Sequence, residues 1–176
     1  MTLYQSTIIM ALSLGLFGIF FLLKGSKELA FKFLRSKAMA VLCYGLAGLY
    51  FMYILFNLGQ SDFGDLKHIL IPIFGAAWLL SFKFLDDFLS VRGLFIIFIF
   101  ASRAFIDSAY MLDIPARYTL VCYSYFLVVI SMYVACLPYR LRDFFEYLYA
   151  NAYRAKCFGV ILLLASFSLI ISMLNY

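Results

Sequence analysis

Gly93–Leu112 reads GLFIIFIFASRAFIDSAYML, and this stretch decides the fold. As a helix rising 1.5 Å per residue it is long enough to cross about 30 Å of hydrocarbon. It is apolar except for a few serines and two charges, Arg103 and Asp107. A charge at mid-span costs about 2.5–3.5 kcal/mol on insertion scales, so it normally faces a partner or a polar cavity. Four residues apart, the two side chains share a helical face and can pair. They form the candidate intramembrane polar site, expected near the middle of the span and turned to the bundle interior. If the pair is fully buried, replacing either partner by alanine should cost roughly 3–5 kcal/mol, because the other charge is then stranded. The pair is read either as a structural clamp or as the polar lining for a solute, proton or lipid headgroup. Ser102, Ser108, Ser124, Ser131, Tyr44, Tyr53, Tyr123 and Tyr133 are its candidate polar neighbours.

Working outward, the chain is 66% hydrophobic and 13% charged, with a mean hydropathy of +1.01. Soluble domains are about 45–50% apolar and 25% charged. The excess falls into six runs, which predict spans over Leu3–Leu23, Ala38–Leu58, Ile69–Phe84, Gly93–Leu112, Tyr118–Leu137 and Cys157–Leu174. No run alternates with period two, which argues against a β-barrel. The expected fold is all-α: a polytopic six-helix transmembrane bundle of three helical hairpins, one domain over residues 1–176 with no separate soluble domain.

Orientation follows from cation placement, since Lys and Arg of short loops stay in the cytoplasm. The first, third and fifth connections carry Lys24, Lys27, Lys32, Arg35, Lys37, Lys83, Arg92, Arg140, Arg142, Arg154 and Lys156; the opposite side carries only Lys67 and Arg117. Eleven against two places both termini outside the cytoplasm, in a bacterial inner (cytoplasmic) membrane. Residues 1–7 lack the basic region of a cleaved signal peptide, so the first span is expected to be retained.

The fifth connection, Pro138–Lys156, is the most structured. Leu141, Phe144, Phe145, Leu148 and Ala152 fall on one helical face, and Arg142, Asp143, Glu146 and Arg154 on the other. This predicts a short interfacial amphipathic helix, whose apolar face (Leu141, Phe144, Phe145, Leu148) anchors the bundle or docks a partner. Lys24–Lys37 is more basic and less cleanly amphipathic. Its cations suit anionic headgroups at the cytoplasmic face, at about 1 kcal/mol each. Gly15 with Gly18, Gly45 with Gly48, and Gly75 with Ala76 and Ala77 read as close helix contacts. Phe31–Leu34, Phe82–Leu85 and Tyr139–Arg142 share a faint aromatic–cation pattern, which any interfacial segment offers.

Catalytic and cofactor chemistry finds little footing. Cys43, Cys122, Cys136 and Cys157 form no C-x-x-C pair, and His68 is the one histidine, so no zinc, haem or iron–sulfur ligand set is recognisable. The cysteines read as small apolar fillers. Asp62, Asp65 and His68, and separately Lys83, Asp86, Asp87 and Arg92, are read as solvated or headgroup-facing groups in preference to cation sites. No nucleophile triad, Walker loop or dinucleotide fingerprint occurs, and no cofactor is expected. The net charge of +5 is accounted for by topology and not by nucleic acid. The sequence therefore favours a non-enzymatic structural or accessory subunit, or an assembly factor, of a membrane complex with other membrane subunits as partners. The alternative is a small-solute or ion transporter or channel built on Arg103 and Asp107.

Overall fold

The computed structural model describes residues 1–23, 26–59, 64–84 and 88–176. It is all-α: α1 (Leu3–Leu22), α2 (Ser26–Arg35), α3 (Lys37–Phe56), α4 (Lys67–Phe84), α5 (Leu89–Ser108), α6 (Arg117–Cys136), α7 (Tyr139–Tyr149) and α8 (Ala152–Met173), with a 3-10 turn at Gly64–Leu66. Six of them, α1, α3, α4, α5, α6 and α8, are long and apolar enough to cross a membrane. The protein is a six-helix membrane bundle, with α2 and α7 as short amphipathic helices at one end.

Local chemistry sets the helix ends. Thr2 and Gln5 form a reciprocal capping box at the start of α1. Ser36 accepts from the Met39 amide to start α3. Asn151 accepts from the Tyr153 amide, so α8 begins at Ala152, five residues before the expected span. α5 likewise begins at Leu89 and ends at Ser108, four residues earlier than expected at both ends.

The closest packing is not within the three expected hairpins, α1 with α3, α4 with α5 and α6 with α8. α1 lies antiparallel along α8, and α5 runs between α6 and α3. Small residues make the first approach possible. A Cβ on Gly18 would sit 3.0 Å from the Gly159 carbonyl oxygen, and one on Gly159 would sit 2.8 Å from the Gly18 carbonyl oxygen. Beside them the Ser166 hydroxyl donates to the Ala11 carbonyl at 2.7 Å. Gly15 also packs here, against Ser166, and Gly75 against Met52. Gly45 does not behave as expected: among the described residues nothing lies within 4 Å of its would-be Cβ. The main core gathers Leu3, Met10, Ala11, Phe105, Ala109, Leu120 and Leu169 from α1, α5, α6 and α8.

α2 is a helix within Lys24–Lys37, a stretch whose sequence reads as basic and less cleanly amphipathic. Its Ser26, Ala30 and Leu34 are buried at four-residue spacing, and Leu34 joins Val91, Phe95 and Val134 in a second core. The Ser90 hydroxyl of α5 reaches the Phe33 and Leu34 carbonyls at 3.0 and 3.3 Å, covering acceptors that the last turn of a helix leaves open.

Candidate functional site

α5 positions the two charges. Its approach to α3 is closest at Gly93, where a Cβ would lie 2.7 Å from the Cys43 carbonyl carbon. From there Ile96, Phe100, Arg103 and Asp107 continue along one helical stripe, at spacings of four, three and four residues. Arg103 Nε lies 3.8 Å from Asp107 Oδ2, so the spacing does produce the pair.

Its surroundings differ from the expectation in two respects. The side chains are 68% and 70% exposed, so the pair faces away from the bundle interior. It is also not central, because α5 starts and stops early. Asp107 is the penultimate residue of the helix and Arg103 is about 6 Å further in. From the last turns of a membrane-spanning helix a long side chain can snorkel toward the interface. Four of the hydroxyls expected around the pair are engaged elsewhere. Ser102, Ser108 and Ser124 donate to Phe98, Phe105 and Leu120 carbonyls of their own helices. Tyr123 meets Ser168 at 2.9 Å, and Ser131 is buried in α6 without a partner among the described residues.

The pair also contributes little to holding α5. A carboxylate in the last helical turn opposes the helix dipole, and Arg placed before Asp is the weaker i,i+4 order. The end of α5 is capped instead by Arg117, which donates to the Ala109 carbonyl at 3.3 Å and lies over the Tyr118 ring.

One and two turns inward from Arg103, Phe100 and Ile96 form the α5 wall of a cavity of about 350 Å³ between α3, α4 and α5. Tyr44, Gly48 and Met52 line it from α3, and Phe74, Trp78 and Ser81 from α4. The Trp78 indole N–H donates to the Tyr44 carbonyl at 3.2 Å. Gly48, one turn after Tyr44, leaves that carbonyl open; a Cβ there would occupy the indole. Sequence reasoning missed this cavity. The available signal was the single tryptophan in an apolar run opposite a glycine one helical turn after a tyrosine.

The amphipathic helix α7 forms as expected, with Arg142 and Glu146 exposed and 3.7 Å apart. Its apolar face, however, is largely taken up by the chain itself. Leu148 is buried with Phe21 and Ala155, and Phe145 sits among Phe21, Phe31 and Tyr149. Leu141 packs on the α2–α5–α6 core, and Phe144 meets Phe158 edge-on while staying 38% exposed. Arg154, placed with this helix from sequence, belongs to the first turn of α8 and lies over the Tyr147 ring.

Among the described residues no three His, Cys, Asp or Glu side chains come together, and the four cysteines are free, Cys43 buried and the others exposed. Asp65 and His68 are exposed; Lys24, Asp62, Asp86 and Asp87 lie outside the described residues. No family model, curated protein or solved structure matches the chain.

Proposed function

We propose that this protein is a non-enzymatic accessory or assembly subunit of a larger membrane complex. The observation that carries the reading is α4. It is long and apolar enough to span the membrane, yet none of its residues is buried. It leans on α3 along one stripe, where Phe74 meets Phe51, Gly75 meets Met52 and Trp78 reaches Tyr44. Its opposite stripe, Ile69, Ile73, Ala76 and Leu80, is exposed. Ala76 in the middle of that stripe lets a second helix approach closely, the usual route to association where lipid removes the hydrophobic drive. A helix of a partner subunit laid on this stripe would give α4 a second wall.

On this reading the end bearing α2 and α7 faces the cytoplasm, with both termini outside, in a bacterial-type inner membrane. The excess of Lys and Arg at that end supports the orientation, and its cations meet anionic headgroups. The alternative, a solute or ion carrier centred on Arg103 and Asp107, draws less support. The pair lies on an outer flank, and the cavity beside it is lined mainly by aromatic and aliphatic groups.

Site-specific photocrosslinking in native membranes tests the proposal. A photoreactive residue at Ile73 or Leu80 should give discrete adducts of one mass. The same residue at Leu164 or Phe167, exposed on α8, should give lipid adducts only. Lipid adducts alone from both helices would contradict the subunit reading.

A further inference from the structure

We propose that Arg103, Asp107 and the cavity beneath them form a site for one phospholipid whose headgroup carries a phosphate and a primary ammonium, as in phosphatidylethanolamine. Three features converge on this occupant. The first is depth. α5 is about 30 Å long, the thickness of the hydrocarbon core, and the pair occupies its last turn and a half, from which both side chains can reach out to a phospholipid headgroup.

The second is the order of charge along the membrane normal. In such a lipid the phosphate lies nearer the acyl chains and the ammonium further out. Arg103 lies nearer the middle of α5 and Asp107 nearer its end. The guanidinium fork therefore meets the phosphate, and the carboxylate meets the ammonium. A headgroup whose one charge is the phosphate would offer the Asp107 carboxylate no ammonium donor. A quaternary ammonium would offer that carboxylate no hydrogen-bond donor.

The third is the cavity. It begins at Phe100 on the same stripe and follows α3 from Met52 to Tyr44, about 12 Å toward the opposite end of the bundle. Its volume of about 350 Å³ is that of a ligand site, and its walls suit an acyl chain. Phe74 and Ala77 in the α4 wall are exposed, so a chain can enter from the side.

Trp78 is the one tryptophan of the chain and lines this cavity, so it reports occupancy directly. The full-length protein would be placed in phosphatidylcholine nanodiscs containing a minor fraction of lipid brominated on its acyl chains. Brominated phosphatidylethanolamine should quench Trp78 with a relative association about fivefold above brominated phosphatidylcholine, the size expected of one exposed charge contact. The advantage should fall stepwise as the ammonium is methylated, a series that needs no variant, and should vanish in Arg103→Gln with Asp107→Asn. Equal quenching by the two lipids would overturn the proposal, as would an advantage that persists in that double variant. Strongest quenching by brominated phosphatidylglycerol would assign the site to an anionic lipid and overturn it equally.

Discussion

A methyl group on residue 93 would lie 2.6 Å from Tyr44 Cα, against backbone that cannot swing aside. Gly93→Ala should therefore destabilise the detergent-solubilised chain by about 1–3 kcal/mol through overpacking at the α3–α5 crossing. Gly45→Ala, whose Cβ meets nothing within 4 Å among the described residues, should be neutral or gain up to about 1 kcal/mol of helix propensity. Reversible unfolding in mixed micelles reads both, and equal effects would contradict the crossing. In the same assay Arg103→Ala and Asp107→Ala should each cost no more than about 1 kcal/mol, as exposed pairs do, and not the 3–5 kcal/mol of a buried pair. The pairing of these residues was legible from their spacing alone. Their direction was not, because it depends on which helices flank α5. Their depth was lost because Arg92 made residues 89–92 read as loop, when Leu89, Ser90 and Val91 are in fact buried first-turn residues.

At the scale of elements, α2 and α7 close one end of the bundle, and each is held by named contacts. Removing the Ser90 hydroxyl should loosen α2 without unfolding the spans. Ser90→Ala is expected to lower the protection of α2 amides in hydrogen exchange by roughly 1 kcal/mol, while α1 and α8 amides stay unchanged. Tyr149 ties α7 to Phe21 of α1 and packs on Phe145 of its own helix, and burial pushes its phenol above the usual tyrosine value. A raised folded value favours the neutral form, so this contribution is whole below about pH 10 and is lost as pH rises through the folded value. Tyr149→Phe should flatten that part of the alkaline unfolding profile, and an unchanged profile would count against the buried phenol. α7 was legible because its apolar residues sit at regular spacing behind Pro138. α2 was obscured because its buried positions are partly small, Ser26 and Ala30, and its cations dominate the composition.

For the whole molecule, hydropathy fixes six spans, because length and apolarity decide what can cross a bilayer. It leaves the packing order open, since apolar helices present similar surfaces to lipid and to one another. That α1 would choose α8, and that α4 would be left on the flank, rests on Gly18 meeting Gly159 and Gly48 admitting Trp78. Such contacts reveal themselves only when two distant segments are read together. On the proposed function, the free side of α4 belongs to another subunit. Native mass spectrometry of the complex, extracted gently from its own membrane, can read this. An assembly heavier than the 20.2 kDa chain by a distinct second polypeptide is expected, and it should be lost when Ala76→Trp blocks the close approach. The chain leaving the membrane alone with lipid, or only as multiples of itself, would contradict it.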